Sequence, residues 1–404
     1  MTHMTTRFDQ FRRAAVVVTA ALTVPVVAAS SSVAAPAGVA AFERTHENGT
    51  HAAASRFALP RPTGPFAVGR DVLHLVDRDR PDPWVPANPR ELMVSVYYPA
   101  RPNTGGPARY LTVAEARLFI EDRSLAGVTT PEEFSATRAS ARTGAHPIRG
   151  RYPLVVLSPG FSVYRHTLTH LAEDLASRGY VVAAVDHTYE SAGTELPGGR
   201  VVTCLACTAV DGQGRDGFAR VASGRATDVT FVLNKLTGPR RAWRHADLID
   251  RTRIGMAGHS IGGNAAASTM AADPRVLAGV NMDGTFFAPV PEDGLGGRPF
   301  LMLGHPGHVP GGPDDTWDRD WLRLDGCKHW LTVTGTAHID FSDLSVLADQ
   351  AGLPDDASPL SGERTAEIMR TYVGAFLDRH LRGIHRPVLD GPTPGNPEVV
   401  FHQP

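Results

Sequence analysis

The chain has 404 residues, 42% of them hydrophobic and 20% charged, with 40 Lys and Arg against 42 Asp and Glu. A net charge of −2 leaves no single-signed field to hold nucleic acid or an anionic membrane by counterion release, so polynucleotide binding is set aside. Three cysteines are too few to staple a chain of this length, which must be held by its core instead.

Arg7, Arg12 and Arg13 precede an apolar run from Ala14 to Ala29, followed by small-residue cleavage candidates such as Val27-Ala28-Ala29 and Val39-Ala40-Ala41. This pattern predicts a secretory signal and leader over 1–41 rather than a membrane anchor, which needs about 20 apolar residues. The remainder, 42–404, is expected to form a single exported domain with no stable membrane span. Leu92 to Tyr98 alternates loosely and is rich in Val and Tyr, which predicts an early strand closed by Pro99. Pro153 to Leu157 is a compact apolar run, and Leu168, Leu171 and Leu175 make a helical stripe stopped by Gly179. Tyr180 to Val185 reads as a second buried strand and Asp228 to Leu236 as a helix. Further strands are expected near Ile254–Ala257, Val276–Met282, Phe300–Leu303 and Trp330–Val333, and Ile368, Met369, Tyr372, Val373, Phe376 and Leu377 give an amphipathic closing helix. Short apolar strands alternating with helices predict an α/β fold with a mostly parallel sheet covered on both faces. Two segments break the alternation: a candidate lid insertion at 105–148 and a Gly-rich loop from Ser191 to Gly224. Both would lie near the carboxyl ends of strands, where ligands bind such sheets.

The chemistry gathers at Gly258-His259-Ser260-Ile261-Gly262, directly after a predicted strand and before small residues that can start a helix. A serine at such an elbow needs glycines beside it because its backbone is strained and its neighbours crowd the sheet. Ser260 is therefore the candidate nucleophile. Among seventeen histidines, His338 follows the last predicted strand of the sheet, where the carboxyl edge places it near Ser260 as the base. His259 is read as packing. The carboxylate that fixes the imidazole tautomer has two candidate homes, Asp283 after one strand and Asp314 or Asp315 after the next, and position alone leaves both open.

The segments Leu157-Ser158-Pro159-Gly160-Phe161, Ala184-Val185-Asp186-His187, Gly258 to Gly263, Asn281-Met282-Asp283 and Gly335-Thr336-Ala337-His338 resemble, in order and spacing, the secreted platelet-activating factor acetylhydrolase family of α/β-hydrolases. The resemblance runs from about Leu92 to Leu347. It implies that the acid is Asp283, some two dozen residues after Ser260, and that the backbone amides of Phe161 and Ile261 form the oxyanion hole. Two features depart from the family: its His-Gly before the oxyanion loop is Pro159-Gly160 here, and the stretch after Asp186 is shorter and Gly-rich. The first departure is shared with secreted actinobacterial lipases and polyester hydrolases, which this sequence resembles more distantly.

The expected mechanism is acyl transfer through Ser260, with His338 as base and Asp283 as its partner, needing no metal and no organic cofactor. Cys204 and Cys207 lack the second pair a zinc site wants, so a local or long-range disulfide is expected, with one thiol of the three left over. The acidic stretch Asp314 to Asp318 is read as a solvated loop. Expected partners are a small-molecule or lipid ester and, transiently, a lipid surface. Three functions fit: a secreted esterase for short acyl or phospholipid-type esters, a lipase or polyester hydrolase with apolar walls around Phe161, Phe286 and Phe287, and a catalytically silent exported binding protein. The last requires a broken triad, whereas all three members can be assigned.

Overall fold

In the computed structural model, residues 55–353 and 355–404 are described; the expected leader at 1–41 lies outside them. The strands, in chain order, are β1 (Ala67–Pro81), β2 (Pro89–Ala100), β3 (Gly106–Pro107), β4 (Arg142–Thr143), β5 (Tyr152–Ser158), β6 (Val181–His187), β7 (Thr194–Leu196), β8 (Arg200–Val202), β9 (Ile249–His259), β10 (Val276–Met282), β11 (Phe300–Gly304), β12 (Lys328–Val333) and β13 (Val399–His402). The α-helices are α1 (Val113–Asp122), α2 (Pro131–Ser135), α3 (Thr169–Ser177), α4 (Leu205–Asp211), α5 (Gly214–Thr237), α6 (Ile261–Ala272), α7 (Asp315–Arg323), α8 (Asp343–Gln350) and α9 (Gly362–Arg382).

Eleven strands form one sheet in the order β13-β12-β11-β10-β9-β5-β6-β2-β1-β4-β3, and β7 with β8 makes a separate hairpin. From β6 through β5, β9, β10 and β11 to β12 every neighbouring pair is parallel. Antiparallel β2 and β1 extend one side and antiparallel β13 the other. Strand pleat divides the core in two: β5 sends Leu154 and Val156 to one face and Val155 and Leu157 to the other. The first face is covered by α5 and α6 through Val229, Val232, Leu233, Ala266 and Met270. The second is covered by α3 and α9 through Leu171, Leu175, Ile368, Met369 and Tyr372. Burial on both faces explains why the central strands read as continuous apolar runs.

Several expectations need correction. β1, ahead of the first strand expected from the sequence, is a fifteen-residue strand whose charged side chains find distant partners, Asp71 accepting from Trp243 Nε1 at 2.9 Å and Arg80 bonding Asp228. The Ser191 to Gly224 segment is not a loop but contains the β7–β8 hairpin, α4 and the first half of α5. The cysteines follow the local of the two expected arrangements: Cys204 and Cys207 are disulfide-bonded at the start of α4, and Cys327 is the free, exposed thiol. Asp314 to Asp318 is not a solvated loop: Asp314 caps α7 by accepting from Thr316 N–H at 3.1 Å, and Trp317 is fully buried. The 105–148 segment carries β3, α1, α2 and β4. Its α1 starts with a Thr112–Glu115 capping box, and Phe119 and Ile120 pack with Phe57, Phe134, Tyr164 and Leu347. No helix among the described residues is long and apolar enough to cross a membrane.

Candidate active site

β9 ends at His259 and α6 begins at Ile261, leaving Ser260 at the corner with φ 56° and ψ −127°. A non-glycine residue held there stores strain, which persists only where its surroundings over-determine it. They do: Ser260 N–H donates to the carbonyl of Met282 at 2.8 Å, tying the corner to the end of β10. A Cβ on Gly258 would lie 2.1 Å from the Gly262 backbone, and one on Gly262 would lie 2.1 Å from the Ser158 carbonyl oxygen, so both glycines are dictated by close approach.

His338 stands after β12 and brings its Nε2 to 2.9 Å from Ser260 Oγ. Its Nδ1 donates to Asp283 Oδ2 at 2.5 Å. Asp283 follows β10, itself at positive φ (62°), and is 0% exposed. The turn around it is fixed by Asn281, whose amide donates to the Gly284 carbonyl at 2.7 Å and accepts from Gly284 N–H at 2.8 Å. The loop bearing His338 is fixed by Asp340, which accepts from Ala337 N–H at 2.7 Å. Of the three candidate carboxylates Asp283 is the one hydrogen-bonded to His338; Asp314 accepts from Thr285 Oγ1 at 2.6 Å and caps α7, and Asp315 is the first residue of that helix.

Two histidines that the sequence reading passed over meet Asp283 on its other oxygen. His305 donates to Oδ1 through both its backbone N–H and its Nδ1, each at 2.7 Å, and His308 Nε2 lies 3.6 Å away. Burial alone would raise the Asp283 carboxyl; the imidazoles of His305 and His308 and the hydrogen bonds from His305 and His338 outweigh it and hold it well below the usual carboxylate range. The signal was a His-x-x-His pair just past β11, at the same sheet edge as the serine.

His259 is buried beneath His338 and donates its Nε2–H to the His338 carbonyl at 2.8 Å. Burial, then the nearby His338 imidazole, push it down to about 3. An imidazole neutral when folded but free to charge when unfolded gives stability that is complete above its ordinary value near 6.5 and is lost progressively as pH falls toward 3. Urea unfolding at pH 7 and pH 5 should therefore show a shallower loss for His259→Gln, which keeps a donor but does not titrate, than for the parent. Equal losses would contradict this.

Phe161 follows β5 and Ile261 is the first residue of α6, whose opening amides have no intrahelical acceptor. Phe161 and Phe218 meet edge to face at 5.4 Å, and Phe218 stacks on Phe287 at 4.8 Å. These three half-buried rings pack on Val210, Val221, Ala222 and Ile261. Phe286, expected in the same wall, is instead fully buried against Trp317 and Phe300. A cavity of about 310 Å³ lies beyond Val221, lined also by Trp84, Arg90, Glu190, Gln213 and Arg220; Ser260, His338 and Asp283 are not in its wall.

Among the described residues two groups bring metal-ligating atoms within 4.8 Å of one another, Asp283 with His305 and His308, and Glu115 with His166 and Asp186. In the first, both Asp283 oxygens already accept hydrogen bonds from histidine. In the second, Arg165 bonds Asp186 and stands 3.9 Å from Glu115, placing a positive charge between the two carboxylates. The chemistry of both sets therefore argues for internal charge pairing rather than for a cation.

A serine strained at a strand-to-helix corner and hydrogen-bonded through histidine to aspartate, on a mostly parallel sheet, defines the α/β-hydrolase class. The family model for platelet-activating factor acetylhydrolase, isoform II, matches residues 51–196. A probable 1-alkyl-2-acetylglycerophosphocholine esterase of Arthroderma benhamiae is 30% identical, over 86% of this chain and 94% of that protein. The platelet-activating factor acetylhydrolase of Gallus gallus is 24% identical over 83% and 86% of the two chains. Among solved structures, a ferulic acid esterase from Streptomyces cinnamoneus is 41% identical with a TM-score of 0.76, covering 86% of this chain and 100% of its own. The chain belongs to the platelet-activating factor acetylhydrolase family and is an ester hydrolase.

Proposed function

We propose that this chain is an exported serine carboxylic ester hydrolase working through an acyl-enzyme. The observation that carries the reading is the hydrogen-bonded line from Ser260 Oγ through His338 to Asp283 at a strained elbow. In this reading His338 Nε2 takes the serine proton as Oγ attacks the ester carbonyl, and Asp283 holds the Nδ1–H tautomer and stabilises the imidazolium. The amides of Phe161 and Ile261 hold the oxyanion, the alcohol leaves with the proton from His338, and water then attacks the acyl-enzyme with His338 again as base. The 1–41 leader exports the chain, and the 105–148 segment shapes the approach to the site.

For the acyl group, the Phe161, Phe218 and Phe287 rings beside Ile261 favour a flat aromatic acid, which they can meet by stacking and edge contacts. The likeness to a ferulic acid esterase supports hydroxycinnamoyl esters. A second reading, acetyl esters of phospholipid type, is supported by the family and by the Arthroderma relative. The test is hydrolysis of methyl ferulate, a 2-acetyl ether phospholipid, and p-nitrophenyl esters from C2 to C16 by the purified protein. Methyl ferulate should exceed esters of C8 and longer by about tenfold or more in kcat/KM. Preference for the acetyl phospholipid would install the second reading, and a maximum at C8 or above would overturn both in favour of a lipase or polyester hydrolase.

A further inference from the structure

The Phe161 amide proposed above as an oxyanion donor is a backbone group, so only the orientation of the Gly160–Phe161 peptide can aim it. Among the described residues there is no cis peptide, and in a trans peptide the carbonyl and the N–H point in opposite directions. Whatever grips the Gly160 carbonyl therefore aims the Phe161 N–H.

That grip comes from Arg225 of α5, 1% exposed. Its Nη2 donates to the Gly160 carbonyl at 3.4 Å, while Nη1 donates to the Pro159 carbonyl and, at 3.2 Å, to Ser158 Oγ. One planar guanidinium thus spans three successive residues of the loop. The fork is held from behind by Glu190, whose Oε2 accepts from Arg225 Nε at 2.7 Å and whose Oε1 accepts from Trp84 Nε1 at 3.1 Å. The same Glu190 accepts Ser162 N–H on its backbone carbonyl at 2.9 Å, clamping the loop just past Phe161. On the other flank, Ser158 Oγ lies 3.0 Å from His187 Nε2 and His187 Nδ1 lies 2.8 Å from Asp228 Oδ2. A carboxylate can only accept, so His187 donates from Nδ1 and Ser158 donates to Nε2. Asp228 is in turn pinned by Arg90 at 2.6 Å.

We propose that Arg225 is a positioning residue for ester hydrolysis, its guanidinium fork fixing the Gly160–Phe161 peptide so that the Phe161 N–H faces the oxygen on which charge develops. This inference rests on the assignment of Ser260 and the Phe161 amide in the proposed function. Its cation also draws electron density toward the Gly160 carbonyl, polarising the N–H at the far end of the same peptide. Lysine can keep the charge against Glu190 but has no planar fork, which makes Arg225→Lys the informative variant.

The experiment compares the parent, Arg225→Lys and Arg225→Met, each normalised to its active fraction by fluorophosphonate titration. It measures kcat and KM for p-nitrophenyl acetate, inhibition by an alkyl trifluoromethyl ketone that forms a tetrahedral adduct, and thermal unfolding. Arg225→Lys should melt close to the parent yet lose about tenfold in kcat, and Arg225→Met about 100-fold, with KM changed little and trifluoromethyl ketone affinity falling in the same proportion. If Arg225→Met does not fold, the lysine variant decides alone. Parent-like kcat and trifluoromethyl ketone affinity in Arg225→Lys would overturn the proposal, as would a loss confined to KM. A parent that neither titrates nor turns over is a different result, which removes the serine-hydrolase reading itself.

Discussion

Replacing Ser260 by alanine should lower kcat by about 10⁵- to 10⁶-fold on every ester the parent hydrolyses, because loss of the nucleophile disables the whole relay at once. The fold should survive: Ser260 N–H still donates to the Met282 carbonyl, and the side chain removed is partly exposed. Steady-state hydrolysis of p-nitrophenyl acetate, alongside a melting curve for each protein, checks this. Residual activity within tenfold of the parent would mean that another group carries the chemistry.

Asp283→Asn should cost about 10⁴-fold in kcat, and the surroundings of this carboxylate say why. Its two oxygens face different donors: Oδ1 accepts from the backbone N–H of His305, and Oδ2 accepts from His338 Nδ1. A backbone N–H cannot change tautomer, so the single oxygen of an asparagine must turn toward His305. The amide NH₂ is then left facing His338 Nδ1, which must become an acceptor, and the proton moves to Nε2. In that tautomer His338 donates to Ser260 rather than accepting from it, and general-base attack is lost. The variant should therefore regain activity as pH rises and hydroxide replaces the missing base, while Asp314→Asn should leave kcat within a few-fold of the parent. A pH profile of kcat/KM from 6 to 10 for both variants measures the contrast. Comparable losses in the two would contradict the assignment of Asp283.

The parts of this molecule legible in its sequence are those whose physics is local or repetitive. β5 and β11 are buried on both faces and so spell apolar runs, as do most of β10 and the Trp330–Val333 end of β12, and Gly179, at positive φ, marks the stop after α3 as expected. The elbow was legible because steric crowding at Gly258 and Gly262 leaves no other residue room, and the chain order of serine, aspartate and histidine follows from the sheet's topology. What stayed hidden depends on distant partners. β1 looks like a charged lead-in until Asp71 meets Trp243 and Arg80 meets Asp228 across the fold. The Gly-rich stretch after Ser191 hides α4 and the start of α5, because its turns are supplied by glycines and its helices are anchored through a few small or branched apolar residues, Ala206, Val210, Val221 and Ala222. Which carboxylate meets His338 depends on the register of β10 and β11, and the contacts of His305 and Arg225 appear only when neighbouring strands and helices are assembled.

The central claim is that Ser260 becomes covalently acylated. The most direct measurement is intact-protein and peptide mass spectrometry after incubation with a fluorophosphonate, on the parent and on Ser260→Ala. One phosphonyl group per chain, located on Ser260 and absent from the variant, is the predicted result. No adduct on the parent, or a stoichiometric adduct that persists on another residue of the variant, would contradict the account.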